Sequence, residues 1–193
     1  MTNHKQNIDK KFLDDYWNRY QQIFFESRND DLILSFKKSI ENTHKNKGRL
    51  IFVGNGASAS LSSHAATDFT KQAKIPSIAF NDHNLITALS NDYGYEFWIS
   101  KALEYYSESN DMVIFISVSG ESKNLINGIK FAKNKNMSTA SLTGSYKGNT
   151  IRTNTDLSLW VDSKAYNIVE CIHTIWITLI IDMFVGNPEY SVN

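Results

Sequence analysis

The chain has 193 residues, one cysteine, two prolines and no net charge, and each of these scarcities excludes something. Cys171, standing alone, excludes an internal disulfide framework and fits a reducing compartment; as a small apolar side chain it is expected inside the fold. Pro76 and Pro188 both fall in connections, so proline breaks no periodic segment. Twenty basic and twenty acidic residues cancel, leaving no global field to draw nucleic acid or an anionic membrane. Any ligand is therefore recognised locally, and neither nucleic acid nor a membrane is expected as a partner. The N-terminus, M-T-N-H-K-Q-N-I-D-K-K, lacks the apolar core of a signal peptide. The longest apolar run, Ile175 to Val185, is broken by Thr178 and Asp182 and is too short to span a bilayer. A cytoplasmic protein is expected. With no repeat or low-complexity tract, the chain reads as one domain over 1–193, with a helical segment at 1–47 and an α/β core at 48–185.

What is present begins with two helices. Phe12, Tyr16 and Tyr20 recur at helical spacing with Trp17 and Phe24 beside them, and Leu32, Leu34, Phe36 and Ile40 follow before Gly48. Their aromatic surface is free to meet either the chain's own core or a partner subunit. From Arg49 the texture changes to short β-rich runs, R-L-I-F-V, S-I-A-F, M-V-I-F-I-S, T-A-S-L-T and L-S-L-W-V, separated by helical segments. Apolar strands alternating with helices predict right-handed crossovers and a parallel sheet covered on both faces. In such a sheet ligands bind beyond the carboxyl ends of the strands. The glycine-bearing exits at 54–58, 117–122 and 142–145 are therefore expected at one edge.

The most informative stretch is D-M-V-I-F-I-S-V-S-G-E-S, Asp111 to Ser122. An apolar strand opens into Ser117, Ser119, Gly120 and Ser122 just before a helix, which is how backbone N–H groups and hydroxyls are gathered around a phosphate. Capping of the helix by the same serines is the alternative. The segment after the first strand, G-N-G-A-S-A-S-L-S-S-H-A-A-T-D, lacks the spacing of a dinucleotide site. Within it His64 and Asp68 share a helical face, suited to a metal or to a hydrogen bond between the two. The last helix, K-A-Y-N-I-V-E-C-I-H-T-I-W-I-T-L-I-I-D, is apolar nearly all round and expected to be buried, yet carries Glu170 and His173. Asn91, Asp92, Tyr93 and Gly94 read as a polar turn able to hold hydroxyl groups or to start a helix.

Taken in order, G-N-G-A-S-A-S-L-S-S-H-A-A-T-D, L-I-T-A-L-S-N-D-Y-G-Y-E, I-S-V-S-G-E-S-K-N and S-L-T-G-S resemble the sugar isomerase (SIS) fold, most closely the sedoheptulose 7-phosphate or phosphoheptose isomerases. The resemblance runs from about Arg49 to Asp182. It implies a three-layer α/β sandwich with a five-stranded parallel sheet preceded by two N-terminal helices, a homotetramer formed partly through those helices, and zinc. It further implies an enzyme that interconverts sedoheptulose 7-phosphate and D-glycero-D-manno-heptose 7-phosphate on the route to bacterial lipopolysaccharide or capsule. By position, Ser58, Ser117, Ser119 and Ser122 are implied to hold the phosphate, Asn55 to line the same mouth, and Asp92 to contact the sugar. His64 matches a metal histidine, and Asp68 stands where the family has a glutamate that binds metal and moves a proton. A gap-free match over Ile168 to Ile177 puts Val169 and Ile177 in place of a glutamine ligand and a histidine base, leaving the zinc site incomplete. His173, one turn earlier on that face, is then the expected base, with Asp68 or Glu170 as the second acid–base group. The same departures also fit a non-catalytic SIS protein that binds a phosphosugar or docks a protein such as a replication initiator.

Overall fold

The computed structural model describes residues 2–190, with side chains from residue 7 onward. Two helices, α1 (Thr2–Glu26) and α2 (Asp30–Lys45), lead into β1 (Leu50–Gly54), α3 (Ala57–Lys71), β2 (Ser77–Ala79), α4 (His83–Tyr93), α5 (Trp98–Tyr106) and β3 (Met112–Ser117). After these come α6 (Lys123–Asn134), β4 (Ser138–Thr143), α7 (Thr150–Asn154), β5 (Leu157–Trp160) and α8 (Tyr166–Val185). All five strands pair in parallel in the order β2-β1-β3-β4-β5, so the five β-rich runs of the sequence are the five strands.

The pleat divides the core in two. Leu50, Phe52, Met112, Ile114 and Ile116 face one layer, packed under α2, α3 and α8, while Ile51, Val53, Val113 and Phe115 face the other, under α5 and α6. Strands buried on both faces have to be apolar throughout, which is why they appear in the sequence as unbroken runs. The amino ends of β1 and β3 are locked by one ion pair: the buried Asp111 carboxylate accepts from the Arg49 backbone N–H at 2.7 Å and from the Arg49 guanidinium at 2.8 Å.

Three expectations change. The last helix is not buried all round: Ile168, Ile172, Trp176 and Ile180 pack on the sheet, but Cys171, Thr174 and Leu179 face outward. Its 20 residues are long and apolar enough to cross a membrane by composition alone, yet its buried side is a wall of the core. In the first helix Tyr16 and Tyr20 pack against the core, and the exposed aromatic positions are instead Phe12 at 66%, Trp17 at 63% and Phe25 at 60%. Burial, aided by the neighbouring Cys171 thiol on α8, pushes the pKa of the Tyr20 hydroxyl up to about 12. Finally, Asn91, Asp92 and Tyr93 form the last turn of α4, which Gly94 ends at φ +91°, rather than an open polar turn.

Candidate active site

In strand order β1 has β2 on one side and β3 on the other, so the connections leaving β1 and β3 diverge to opposite faces and leave a crevice between their carboxyl ends. Gly54 pairs with Ile116 at that edge, which brings Asn55 and Ser117 to the same mouth. A cavity of about 290 Å³ opens there, lined by Asn55, Ser58, Ser117, Ser119, Ser122 and Glu170 among others. A second of about 290 Å³ adjoins it, lined by Ser58, His64, Glu170, Cys171, His173 and Thr174. The two share Ala57, Ser58, Ile116 and Glu170, and so form one bipartite cleft.

The first compartment is built for an anion. Helices α3 and α6 both start at it, and neither has a side-chain cap: Gly56 has no side chain to offer, and the hydroxyl of Ser122 makes no capping bond. Two positive helix ends with unclaimed donors therefore face the cleft. Ser117 and Ser119 are spent partly on the loop itself, their hydroxyls accepting from the backbone N–H of Gly120 at 3.1 Å and of Glu121 at 3.3 Å. Gly120 holds φ at +69°, and a Cβ there would lie 2.0 Å from the Asn149 carboxamide oxygen, so the turn tolerates only glycine. Glu121 caps α7, accepting from Thr150 N–H at 2.8 Å.

The third glycine exit stands behind the cleft. Gly144 donates its N–H to Val118 O at 3.0 Å, and its missing side chain makes room for Val169, whose Cγ1 would be 2.7 Å from a Cβ. Val169 and Ile177 lie in the apolar core beside the sheet. The residues of α8 that line the cleft are Tyr166, Glu170, Cys171, His173 and Thr174; Tyr166, Glu170 and Thr174 lie about a hundred degrees round the helix from the face traced by 169, 173 and 177. Val169 and Ile177, which stand in place of the two family ligands, line neither compartment, whereas His173 between them on the same face lines the second.

His173 is fully buried, and its Nε2 lies 3.1 Å from Thr143 O. A carbonyl only accepts, so Nε2 carries the proton and Nδ1 presents a lone pair, which has no partner among the described residues. Burial, partly offset by the Thr143 contact, lowers the pKa of His173 to about 4, away from the near-neutral base expected from the sequence. Glu170 is only partly buried and touches both compartments. His64 lines the second compartment, and its Nε2 lies 3.0 Å from Asp68 Oδ2. The described residues contain no group of three or more His, Cys, Asp or Glu side chains placed to hold a metal, so the donor set does not fit a resident four-ligand zinc. Asp92 lines neither compartment: it is exposed on α4 and accepts from the Asn91 side chain at 3.0 Å. Residues that the sequence reading missed include Tyr166, Cys171 and Thr174 on the cleft wall and, behind Asn55, Asn124 and Tyr95.

Comparison with known proteins agrees with this architecture. The family model described as SIS domain matches residues 12–144. The phosphoheptose isomerase of Roseiflexus sp. (strain RS-1) is 34% identical over 148 residues, covering 74% of this chain and 75% of the relative. That of Helicobacter pylori (strain HPAG1) is 35% identical over 146 residues, covering 72% and 76%. Among solved structures, a phosphoheptose isomerase from Francisella tularensis superposes with a TM-score of 0.85 at 23% identity, over 92% of this chain and 98% of that one. The extent of the family match and the identity to full relatives place this chain in the SIS domain family, among the phosphoheptose isomerases.

Proposed function

We propose that this protein is an aldose–ketose isomerase that interconverts sedoheptulose 7-phosphate and D-glycero-D-manno-heptose 7-phosphate. The observation that carries the reading is the bipartite cleft: a serine-lined anion compartment joined, through Ser58 and Glu170, to one holding His64, Glu170 and His173. The phosphate seats at the ends of α3 and α6 and fixes the sugar's other end in the second compartment, converting binding into orientation.

The reaction moves a proton between adjacent carbons. A base takes a proton from C1 of the ketose while the C2 carbonyl oxygen gains one; the enediol so formed regains a proton at C2 as the O1 hydroxyl gives one up. Glu170 is the base in this scheme, since it spans both compartments and keeps contact with water. His173 stays neutral at physiological pH and uses its bare Nδ1 to accept a substrate hydroxyl. His64, oriented by Asp68, faces the developing oxyanion together with the uncapped end of α3. No step is assigned to zinc.

The exposed aromatic face of α1 supports a homotetramer, and the pathway is bacterial surface-heptose synthesis, for lipopolysaccharide or capsule, in the cytoplasm. Incubation of the pure protein with sedoheptulose 7-phosphate, followed by chromatographic separation of the sugar phosphates, tests the central reading. Formation of the aldose at equilibrium proportions is expected. Binding without any conversion would make the protein a phosphosugar-binding member of the family.

A further inference from the structure

We infer that Asn124 and Tyr95 are positioning residues that hold the Asn55 carboxamide as a hydrogen-bond donor to the anionic group of the ligand. The inference rests on the placement of the phosphate in the serine-lined compartment and specifies how one wall of that compartment is set.

Asn55 and Asn124, one after β1 and the other in the first turn of α6, exchange a reciprocal pair of amide hydrogen bonds: Asn55 Nδ2 donates to Asn124 Oδ1 at 3.1 Å, and Asn124 Nδ2 donates to Asn55 Oδ1 at 2.9 Å. A carboxamide could in principle sit either way round. Here the choice is fixed from outside the pair, because the backbone N–H of Leu125 lies 3.0 Å from Asn124 Oδ1 and can only donate. With the oxygen of Asn124 fixed, the nitrogen of Asn55 has to face it. Tyr95 completes the arrangement from the turn between α4 and α5, its hydroxyl donating to Asn55 Oδ1 at 3.1 Å.

Counting partners then gives a chemical consequence. Asn55 Oδ1 accepts from both Asn124 and Tyr95 and is saturated. Its Nδ2 has two hydrogens and uses one on Asn124; the other has no partner among the described residues, and Asn55 lines the anion compartment. Asn55 therefore offers the ligand an N–H and no acceptor. A phosphate oxygen is satisfied there, whereas a ligand presenting a hydroxyl hydrogen at that point is not. Asn124 is 2% exposed, too enclosed to meet the ligand itself, so its effect passes through Asn55.

Asn124→Asp separates this role from simple support of α6. The carboxylate cannot donate to Asn55 Oδ1, but on protonation its O–H replaces the lost amide donor. With sedoheptulose 7-phosphate and inorganic phosphate as probes, calorimetry at pH 7.5 is expected to show affinity about tenfold lower than in the unsubstituted protein, and steady-state assays with the phosphosugar a rise in KM far larger than the fall in kcat. As the pH falls below about 6 the ratio should shrink to within about threefold, because the carboxyl becomes neutral. Glu170 and Tyr166 from α8, Tyr95, Glu121 and Lys123 surround the site in both proteins, so their titration cancels in the ratio. Tyr95→Phe, at an exposed position where folding is not at stake, should weaken both probes by about two- to fivefold. Equal affinities at pH 7.5, a ratio that does not change with pH, or an unaffected Tyr95→Phe would each overturn the inference. If the unsubstituted protein binds neither probe, the phosphate placement itself fails and takes this inference with it.

Discussion

Ser119 and Ser122 show how a single hydroxyl can be assigned between capping and binding. Ser122 occupies the capping position of α6 without making the bond, and Ser119 accepts from Glu121 N–H at 3.3 Å and meets the Ser117 hydroxyl at 3.5 Å. Replacing both by alanine is expected to weaken phosphosugar binding by roughly 1–3 kcal/mol in total while the fold is kept. Titration calorimetry with circular dichroism checks this, and unchanged affinity would return both hydroxyls to the loop. His173 makes a prediction of another kind. In the fold it titrates near pH 4 rather than at its ordinary 6.5, so between these values the unfolded chain binds the extra proton and the native state does not. Stability should thus decline as pH falls through that window, by about 3 kcal/mol over its full width. His173→Gln keeps a donor for Thr143 O and should remove this component from urea midpoints measured between pH 4 and 7; an identical pH dependence in both proteins would contradict the buried, neutral assignment. For His64 and Asp68, two side chains that already bond each other, zinc should be lost on dialysis against a mild chelator. Stoichiometric zinc by elemental analysis after such dialysis would require further ligands.

At the scale of elements, the tightest constraint is the contact between the β4 exit and α8. A Cβ on Gly144 would meet Val169 Cγ1 at 2.7 Å and Val118 O at 3.1 Å, so Gly144→Ala is expected to destabilise by about 1–3 kcal/mol through overpacking. Adding Val169→Ala should recover part of that loss in a double-mutant cycle followed by thermal unfolding, whereas strict additivity would show that the backbone oxygen is the obstacle. This contact also marks where the sequence stopped being legible. The strands could be read because burial on both faces leaves an unbroken apolar run, and the serine loops because glycine and serine are chemically distinctive. The orientation of α8 could not be read, since Ile, Val and Leu on its outer face look the same as those on its inner one; that is why Cys171 was expected inside and is exposed. Asn124 escaped notice for a different reason: its partner Asn55 is 69 residues away, and nothing local reports such a pairing.

For the whole molecule, the exposed aromatic surface of α1 bears on behaviour in solution. Phe12 and Trp17 lie far out of the core, and a patch of this kind is costly to leave in water. Charging it with Phe12→Glu and Trp17→Glu should shift light-scattering mass from the proposed tetramer to smaller species, because a desolvated contact accommodates unpaired charge poorly. A parent-sized assembly in the folded double variant would place the subunit contact elsewhere. The ion pair between Arg49 and Asp111 bears on how the molecule comes into being. It joins residues 62 positions apart, and the strands it locks are the two whose ends form the cleft. Closing so long a loop carries its entropic cost before the pairing returns anything, so this step is slow relative to local helix formation. A nascent chain that has not yet delivered β3 and the start of α6 has no cleft at all, only its first half. A phosphosugar therefore has nothing to bind during early folding, and its stabilisation should appear as slower unfolding, with the rate of folding left nearly as it was.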